Sequence, residues 1–524
     1  MIDLSKRQSL FDRLTNKIKQ IIEKNKGLIF FVFLLIVTGF LFYGYIMLNH
    51  AFATPFSGDY VMQYIPLAFN YYDDWHSFFQ TGVFPYWDSN IFLGADTITS
   101  DGYYIMFSPF FFILLIFPRT WIPAMLGMIS VLRIVLAGVF FRLYLKKLGC
   151  KELFAQIGAL AFSCCGWMAY YQWFNNFLDI LVFFPCILLG IEYVIQNKRP
   201  WILIMSLGLL GIDNFFFFPA TCIMMAIYAL FRFFQRIKLN NTKENLKIVG
   251  IGIGAFLLAV MFSLVVFLPG LITGLSDPKV SELSYLGKLK EALTEGNISQ
   301  FLSYILFWEG TSSKSQGWYV YYPVIEMFFP ATTCRNLGLI YRPYDTNYAG
   351  SLWVATPVMF FFFPAFIQNI KDKKWSTLVG AGIMIFALFT PVFYFLLFGG
   401  AQSYSRWLLI YSSTVIAFVM VYLSKYHNKI QIKDLLLGYG YFLFGIILSA
   451  IFCNILVTEE GLEYFVPFPL VVIIEIIYLT ALLIFYAFAF KKINIFKYMT
   501  YIVMFESMLM GTFVALGHSA SDLD

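Results

Sequence analysis

Residues 104–151 read YIMFSPFFFILLIFPRTWIPAMLGMISVLRIVLAGVFFRLYLKKLGCK, and two apolar runs within them compete to cross a membrane. The first, Tyr104 to Phe117, is about 14 residues long and is followed by Pro118, Arg119 and Pro123. A helix needs about 20 residues to cross roughly 30 Å of hydrocarbon, so this run is too short. The second, Ile122 to Leu145, is long enough and ends on Lys146, Lys147 and Lys151. Reading the first run as re-entrant or interfacial places those lysines in the cytoplasm, as the positive-inside rule requires.

The rest of the chain follows the same pattern. Of its 524 residues, 60% are hydrophobic, 20% aromatic and 13% charged. Soluble domains carry about 25% charged residues, and disordered chains are poorer in apolar ones, so both classes are excluded. The apolar blocks have helical length and lack the two-residue alternation of a β-barrel. The expected fold is therefore an all-α polytopic membrane protein of about 13 transmembrane helices.

Residues 1–26 form a basic, amphipathic segment, which keeps the N-terminus in the cytoplasm. The first span is 27–48. An extracytoplasmic loop, 49–121, precedes six spans within 122–274: 122–145, 153–173, 177–196, 200–215, 216–234 and 248–274. The 200–234 stretch divides at Asp213, Asn214 and Pro219. A second outer loop covers 275–350. Six more spans follow within 351–516: 351–370, 376–398, 406–424, 435–457, 465–490 and 498–516. The tail, 517–524, lies outside. On this map the 36 Lys and Arg gather mostly inside and the 30 Asp and Glu mostly outside. The net charge of +6 is thus topological, and nucleic acid is excluded as a partner.

The seven cysteines form no disulfide framework, and the four histidines form no Cys/His cluster at zinc spacing. No phosphate-binding glycine loop or dinucleotide fingerprint occurs. The chemistry falls to the outer loops. The first carries Asp59, Asp73, Asp74, Asp88, Asp96 and Asp101 among Trp75, Trp87 and many tyrosines. Acceptors mixed with ring faces suit a sugar; a solvated acidic loop beneath an interfacial aromatic belt suits the same composition. Asp59 lies just beyond the first span, where a carboxylate can act as general base or hold a divalent cation beside a phosphate. Arg133, Asp179, Glu192, Asp213, Glu475 and Glu506 fall inside expected spans and require partners there.

Ser57-Gly58-Asp59-Tyr60-Val61-Met62-Gln63-Tyr64-Ile65-Pro66, Phe84-Pro85-Tyr86-Trp87, Leu93-Gly94-Ala95-Asp96 and Tyr103-Tyr104 to Ser108-Pro109-Phe110-Phe111 occur in that order. Phe177-Leu178-Asp179, Asn214-Phe215-Phe216-Phe217, Tyr348-Ala349-Gly350 and Ser403-Tyr404-Ser405-Arg406-Trp407 follow. This succession, over residues from about 27 to about 420, resembles the YfhO family of bacterial membrane proteins. The resemblance implies a GT-C type glycosyltransferase with interfacial helices in its first outer loop. Such an enzyme takes a sugar from a polyprenyl-phosphate carrier, loaded by a separate enzyme, and places it on a cell-envelope glycopolymer such as teichoic or lipoteichoic acid. The essential acid of that class corresponds here to Asp59. Longer members continue with an outer soluble region and a further anchoring helix, whereas this sequence ends at Asp524, as a short form or as part of a longer chain.

The expected catalytic residue is Asp59, and the expected substrate-binding residues are Gln63, Trp87, Asp96, Tyr103, Asp213, Arg342, Arg406 and Trp407. Arg406, with Arg342 second, is the candidate cation for a departing lipid phosphate, because the guanidinium fork matches phosphate oxygens. No cofactor is certain beyond a possible divalent cation. A flippase for lipid-linked sugars and a non-catalytic envelope scaffold are the alternatives.

Overall fold

The computed structural model describes residues 23, 25–56, 58–89, 94–196, 199–236, 241–276, 285–307, 318–329, 352–397, 406–460, 468–489 and 496–518. Among these, eight helical stretches are long and apolar enough to cross a membrane: Lys26–Asn49, Arg119–Lys147, Glu152–Tyr171, Asn175–Ile195, Phe217–Arg236, Thr242–Thr273, Arg406–Lys429 and Ile432–Phe452. Trp201–Asp213, Trp375–Phe389 and Val472–Phe488 are shorter apolar helices. The chain is thus an all-α, multi-pass membrane protein. The expected basic segment 1–26 and most of the second outer loop fall outside the described residues.

The non-spanning run near Tyr104 has a local cause. Ser108 caps a new helix, its Oγ accepting from the N–H groups of Phe110 and Phe111 at 3.1 and 3.4 Å. Pro109 takes the first helical position, where its missing N–H costs nothing. The resulting helix, Pro109–Leu114, is far too short to cross. A fresh turn at Arg119–Trp121 then leads into the long Ile122–Lys147 helix, with Pro123 in its first turn.

Several expected spans are interrupted. The 153–173 segment breaks at Cys164 and Cys165 into Glu152–Ser163 and Gly166–Tyr171. The 351–370 segment forms two short helices, Thr356–Met359 and Phe362–Lys371, and Pro391 opens a new helix, Pro391–Leu396, within 376–398. Periodicity records apolar length but not these breaks, because cysteine, threonine and phenylalanine fit either conformation. The 200–234 stretch does divide, into Trp201–Asp213 and Phe217–Arg236, with Asn214 Oδ1 accepting from the Phe217 N–H at 3.1 Å.

Helices 122–147, 152–163, 178–195 and 409–426 form the interior. Around them, the Lys26–Asn49 and Thr242–Ser276 helices turn large apolar side chains outward, among them Phe33, Met261 and Val265. In lipid such faces are satisfied by acyl chains. The first helix packs against the last described one, Phe496–His518. Their closest approach is at Gly511, where a Cβ would stand 2.1 Å from the Phe42 carbonyl oxygen. Gly511→Ala is therefore expected to destabilise the protein by about 1–3 kcal/mol of overpacking, read as a lowered midpoint of thermal unfolding in detergent. An unchanged midpoint would contradict this packing.

Candidate active site

The segment after the first helix packs back into the protein through an unusual turn. Asp59 precedes a π-helical turn, Tyr60–Tyr64, which runs into the Ile65–Thr81 helix and closes through the Ile65 N–H donating to the Tyr60 carbonyl. Such wide turns re-aim side chains and concentrate at functional sites. Tyr60, Tyr64, Ala68 and Tyr71 line the buried face, while Asp59, Met62 and Pro66 stay exposed. The Tyr60 hydroxyl lies 2.7 Å from Thr54 Oγ1, tying the turn to the end of the first helix.

Tyr64 is the centre of the arrangement. Its hydroxyl donates to Asn176 Oδ1. Burial pushes its phenol well above the usual range; Tyr103, Tyr104 and Asp59 add to that shift and Arg406 opposes it. Asp59 and Arg406, from distant parts of the chain, thus act electrostatically on one phenol. Gln63 Nε2 donates to the Tyr104 hydroxyl at 2.6 Å. Burial, Tyr103 and Asp59 push that phenol up to about 12, so it stays protonated at neutral pH. Tyr103 packs against Phe216 at 5.6 Å between ring centroids.

The Arg406 guanidinium lies over the rings of Phe177, Phe216 and Phe174, at 4.6, 5.1 and 5.9 Å from their centroids. Its carbonyl accepts from Trp167 Nε1 at 2.8 Å, which anchors the backbone there. The ring faces orient the guanidinium. Asp59, Gln63, Tyr103 and Arg406 are therefore gathered around Tyr64.

The other expected residues lie elsewhere. Asp213 sits in a buried ion cluster: Arg133 Nε donates to Asp179 Oδ1 at 2.5 Å, Arg133 Nη1 to Asn175 Oδ1 at 2.8 Å, and the Asp213 carboxyl faces Asp179. The Arg133 guanidinium also lies 5.3 Å from the centroid of Phe110. Trp407 is buried against Phe393 and Tyr394. Trp87 and Asp96 stand opposite each other on a two-stranded ribbon, Trp87–Asp88 with Ala95–Asp96. Asp96 accepts from the Thr99 N–H at 2.8 Å, capping the Thr97–Asp101 helix, and Trp87 is exposed with its indole against Gly94. Arg342 lies outside the described residues.

The remaining acids of this segment divide by environment. Asp73 pairs with Arg119 in a two-pronged, exposed contact. Burial and the neighbouring Asp88 push the Asp101 carboxyl up to about 7, and burial, Asp88 and Asp73 push Asp74 up to about 6. Among the described residues no three His, Cys, Asp or Glu side chains come together to hold a metal ion.

Tyr64, Tyr104, Asn175 and Asn176 were not singled out by sequence reasoning. The one available signal is the adjacent pair Asn175-Asn176 in an otherwise apolar stretch, since amides there need specific partners.

Two outcomes follow from these environments. Removing one member of the Arg133–Asp179 pair leaves a buried charge alone, so Arg133→Ala or Asp179→Ala should cost about 3–5 kcal/mol in unfolding experiments. The double change Arg133→Met with Asp179→Leu should cost less than either; equal or greater loss would contradict the pairing. Asp101, raised from its ordinary value near 4, holds its proton more tightly folded than unfolded. Its contribution is favourable at low pH and is lost as pH rises from about 4 to about 7. The thermal midpoint should be higher at pH 5 than at pH 8, and Asp101→Asn should shrink that difference; an undiminished difference would rule out Asp101 as its source.

A sequence model described as "Bacterial membrane protein YfhO" matches residues 28–295, just over half of the chain. A similar protein, "Uncharacterized protein YfhO" from Bacillus subtilis (strain 168), is 29% identical over 121 residues. That alignment covers 22% of this chain and only 14% of the relative's length. No solved structure matches. The matched region contains Asp59, Tyr64, Arg133 and Asn176, and the chain belongs to the YfhO family of bacterial membrane proteins.

Proposed function

We propose that the protein is a GT-C type glycosyltransferase of the bacterial cell membrane. It would move a sugar from a polyprenyl-phosphate carrier to an extracytoplasmic envelope acceptor such as teichoic or lipoteichoic acid. The N-terminus lies in the cytoplasm and the site outside, and a separate enzyme loads the carrier. The observation that carries this reading is that Arg406 lies over Phe177 and Phe216 while Asn176, the neighbour of Phe177, bonds Tyr64, one π-helical turn beyond Asp59. An acid and a caged cation flanking an aromatic wall are the groups that transfer from a lipid phosphate requires.

The reaction is a single displacement. The acceptor hydroxyl oxygen attacks the anomeric carbon and its proton passes to the Asp59 carboxylate. The bond from the anomeric carbon to the phosphate oxygen breaks, and its electron pair leaves with the phosphate. Arg406 stabilises the charge developing there, because its guanidinium is already oriented by Phe177 and Phe216. Phe216, Tyr103 and Tyr104 offer apolar faces to the sugar or to the first isoprene units.

Asp59→Asn and Arg406→Ala should each lower transfer of a radiolabelled sugar from polyprenyl phosphate in reconstituted membranes by about 100-fold or more. Their amounts in the membrane should match wild type. Near-normal transfer by either variant would remove that residue from the mechanism. Label that only crosses the bilayer would favour a flippase, and label that neither moves nor transfers would favour a scaffold.

A further inference from the structure

Asn176 lies in the short turn Asn175–Phe177, between the Gly166–Tyr171 and Leu178–Ile195 helices, and is 2% exposed. Each of its polar groups reaches a different segment. Oδ1 accepts from the Tyr64 hydroxyl, Nδ2 donates to the Tyr103 carbonyl at 3.0 Å, and the main-chain carbonyl accepts from Asn214 Nδ2 at 3.2 Å. Asn214 in turn caps the start of the Phe217–Arg236 helix. Its contact therefore fixes Phe216, whose ring lies beneath the Arg406 guanidinium.

Both halves of the candidate site thus hang on one residue. The acid side reaches Asn176 through Tyr64 and the turn that follows Asp59. The cation side reaches it through Asn214 and Phe216. The adjacent Asn175 points the other way, its Oδ1 accepting from Arg133 Nη1 at 2.8 Å, so the turn is itself fixed in the buried ion cluster.

We infer that Asn176 is the positioning residue of the transfer site, setting the separation of Asp59 and Arg406; this rests on the glycosyl-transfer reading. Only an uncharged amide fits. Aspartate at 176 keeps an acceptor for Tyr64 but turns an oxygen toward the Tyr103 carbonyl, two acceptors face to face in a buried place. Tyr64 cannot compensate, because its single proton is already donated to Asn176.

The test uses the full chain in nanodiscs and a radiolabelled polyprenyl-phosphate sugar, with Asn176→Asp, Asn176→Ala and Tyr64→Phe beside wild type and Asp59→Asn. A misplacement of about 1 Å costs roughly 100-fold in turnover. Both Asn176 variants should lose about that much in kcat, with donor KM within about threefold, and this loss should exceed what their lowered unfolding midpoints account for. Tyr64→Phe, which keeps the ring and removes one bond, should lose about fivefold, the worth of one hydrogen bond near 1 kcal/mol. Transfer by Asn176→Asp within twofold of wild type, or losses that only track the unfolding midpoint, would overturn the inference. Spin labels at positions 59 and 406 read the geometry without chemistry. One narrow distance should broaden in the Asn176→Ala background, and an unchanged distribution would overturn the positioning role. If wild type transfers no sugar while that distance still broadens, the transfer reading fails and the positioning stands. If transfer depends on Asp59 but not on Asn176, the reverse holds.

Discussion

The Arg133 guanidinium is 1% exposed inside a membrane protein, where an unpartnered charge is not tolerated, and the segments around it are arranged to satisfy it. Asp179 enters in the first turn of the Leu178–Ile195 helix, where a carboxylate also complements the helix dipole. Asn175 must precede it closely to reach a second guanidinium nitrogen, and Phe110 offers its ring from the Pro109–Leu114 helix. Two segments distant in sequence are thereby brought to one charge. The turn that carries Asn175 also carries Asn176, so the partners that neutralise Arg133 fix the geometry around Tyr64.

The aspartates between the first two long helices show how one residue type is divided by environment. Asp73 neutralises Arg119 at the start of a span, Asp96 caps a helix, and Asp101 is buried beside Tyr71. Each is accounted for by local structure. Asp59 is different: it is exposed, opens a π-helical turn, and acts on the same phenol as Arg406.

Much of this was legible in the sequence, and the reasons differ by feature. Apolar length marks the membrane helices because lipid demands it, and Asp213-Asn214 marks the division of 200–234 because neither residue suits a helix interior. The short run from Tyr104 to Phe117 was readable from its length and the prolines that follow. The position of Asp59 beyond the first span, and of Arg406 at the start of another, followed from counting. What was not legible depends on tertiary contact. Asp96 and Asp59 look alike as outer aspartates, and only the Thr99 N–H separates them. Trp407 adjoins Arg406 in sequence but faces Phe393 and Tyr394. Asn176 has three partners at separations no local pattern encodes.

The central claim is that lipid phosphate binds where Asp59 and Arg406 converge. A structure of the protein in nanodiscs with a bound polyprenyl phosphate tests it most directly. The account predicts the phosphate against the Arg406 guanidinium, with Asp59 across the Tyr64 side of the site and the first isoprene units along Phe216. Phosphate bound far from both Asp59 and Arg406 would contradict it.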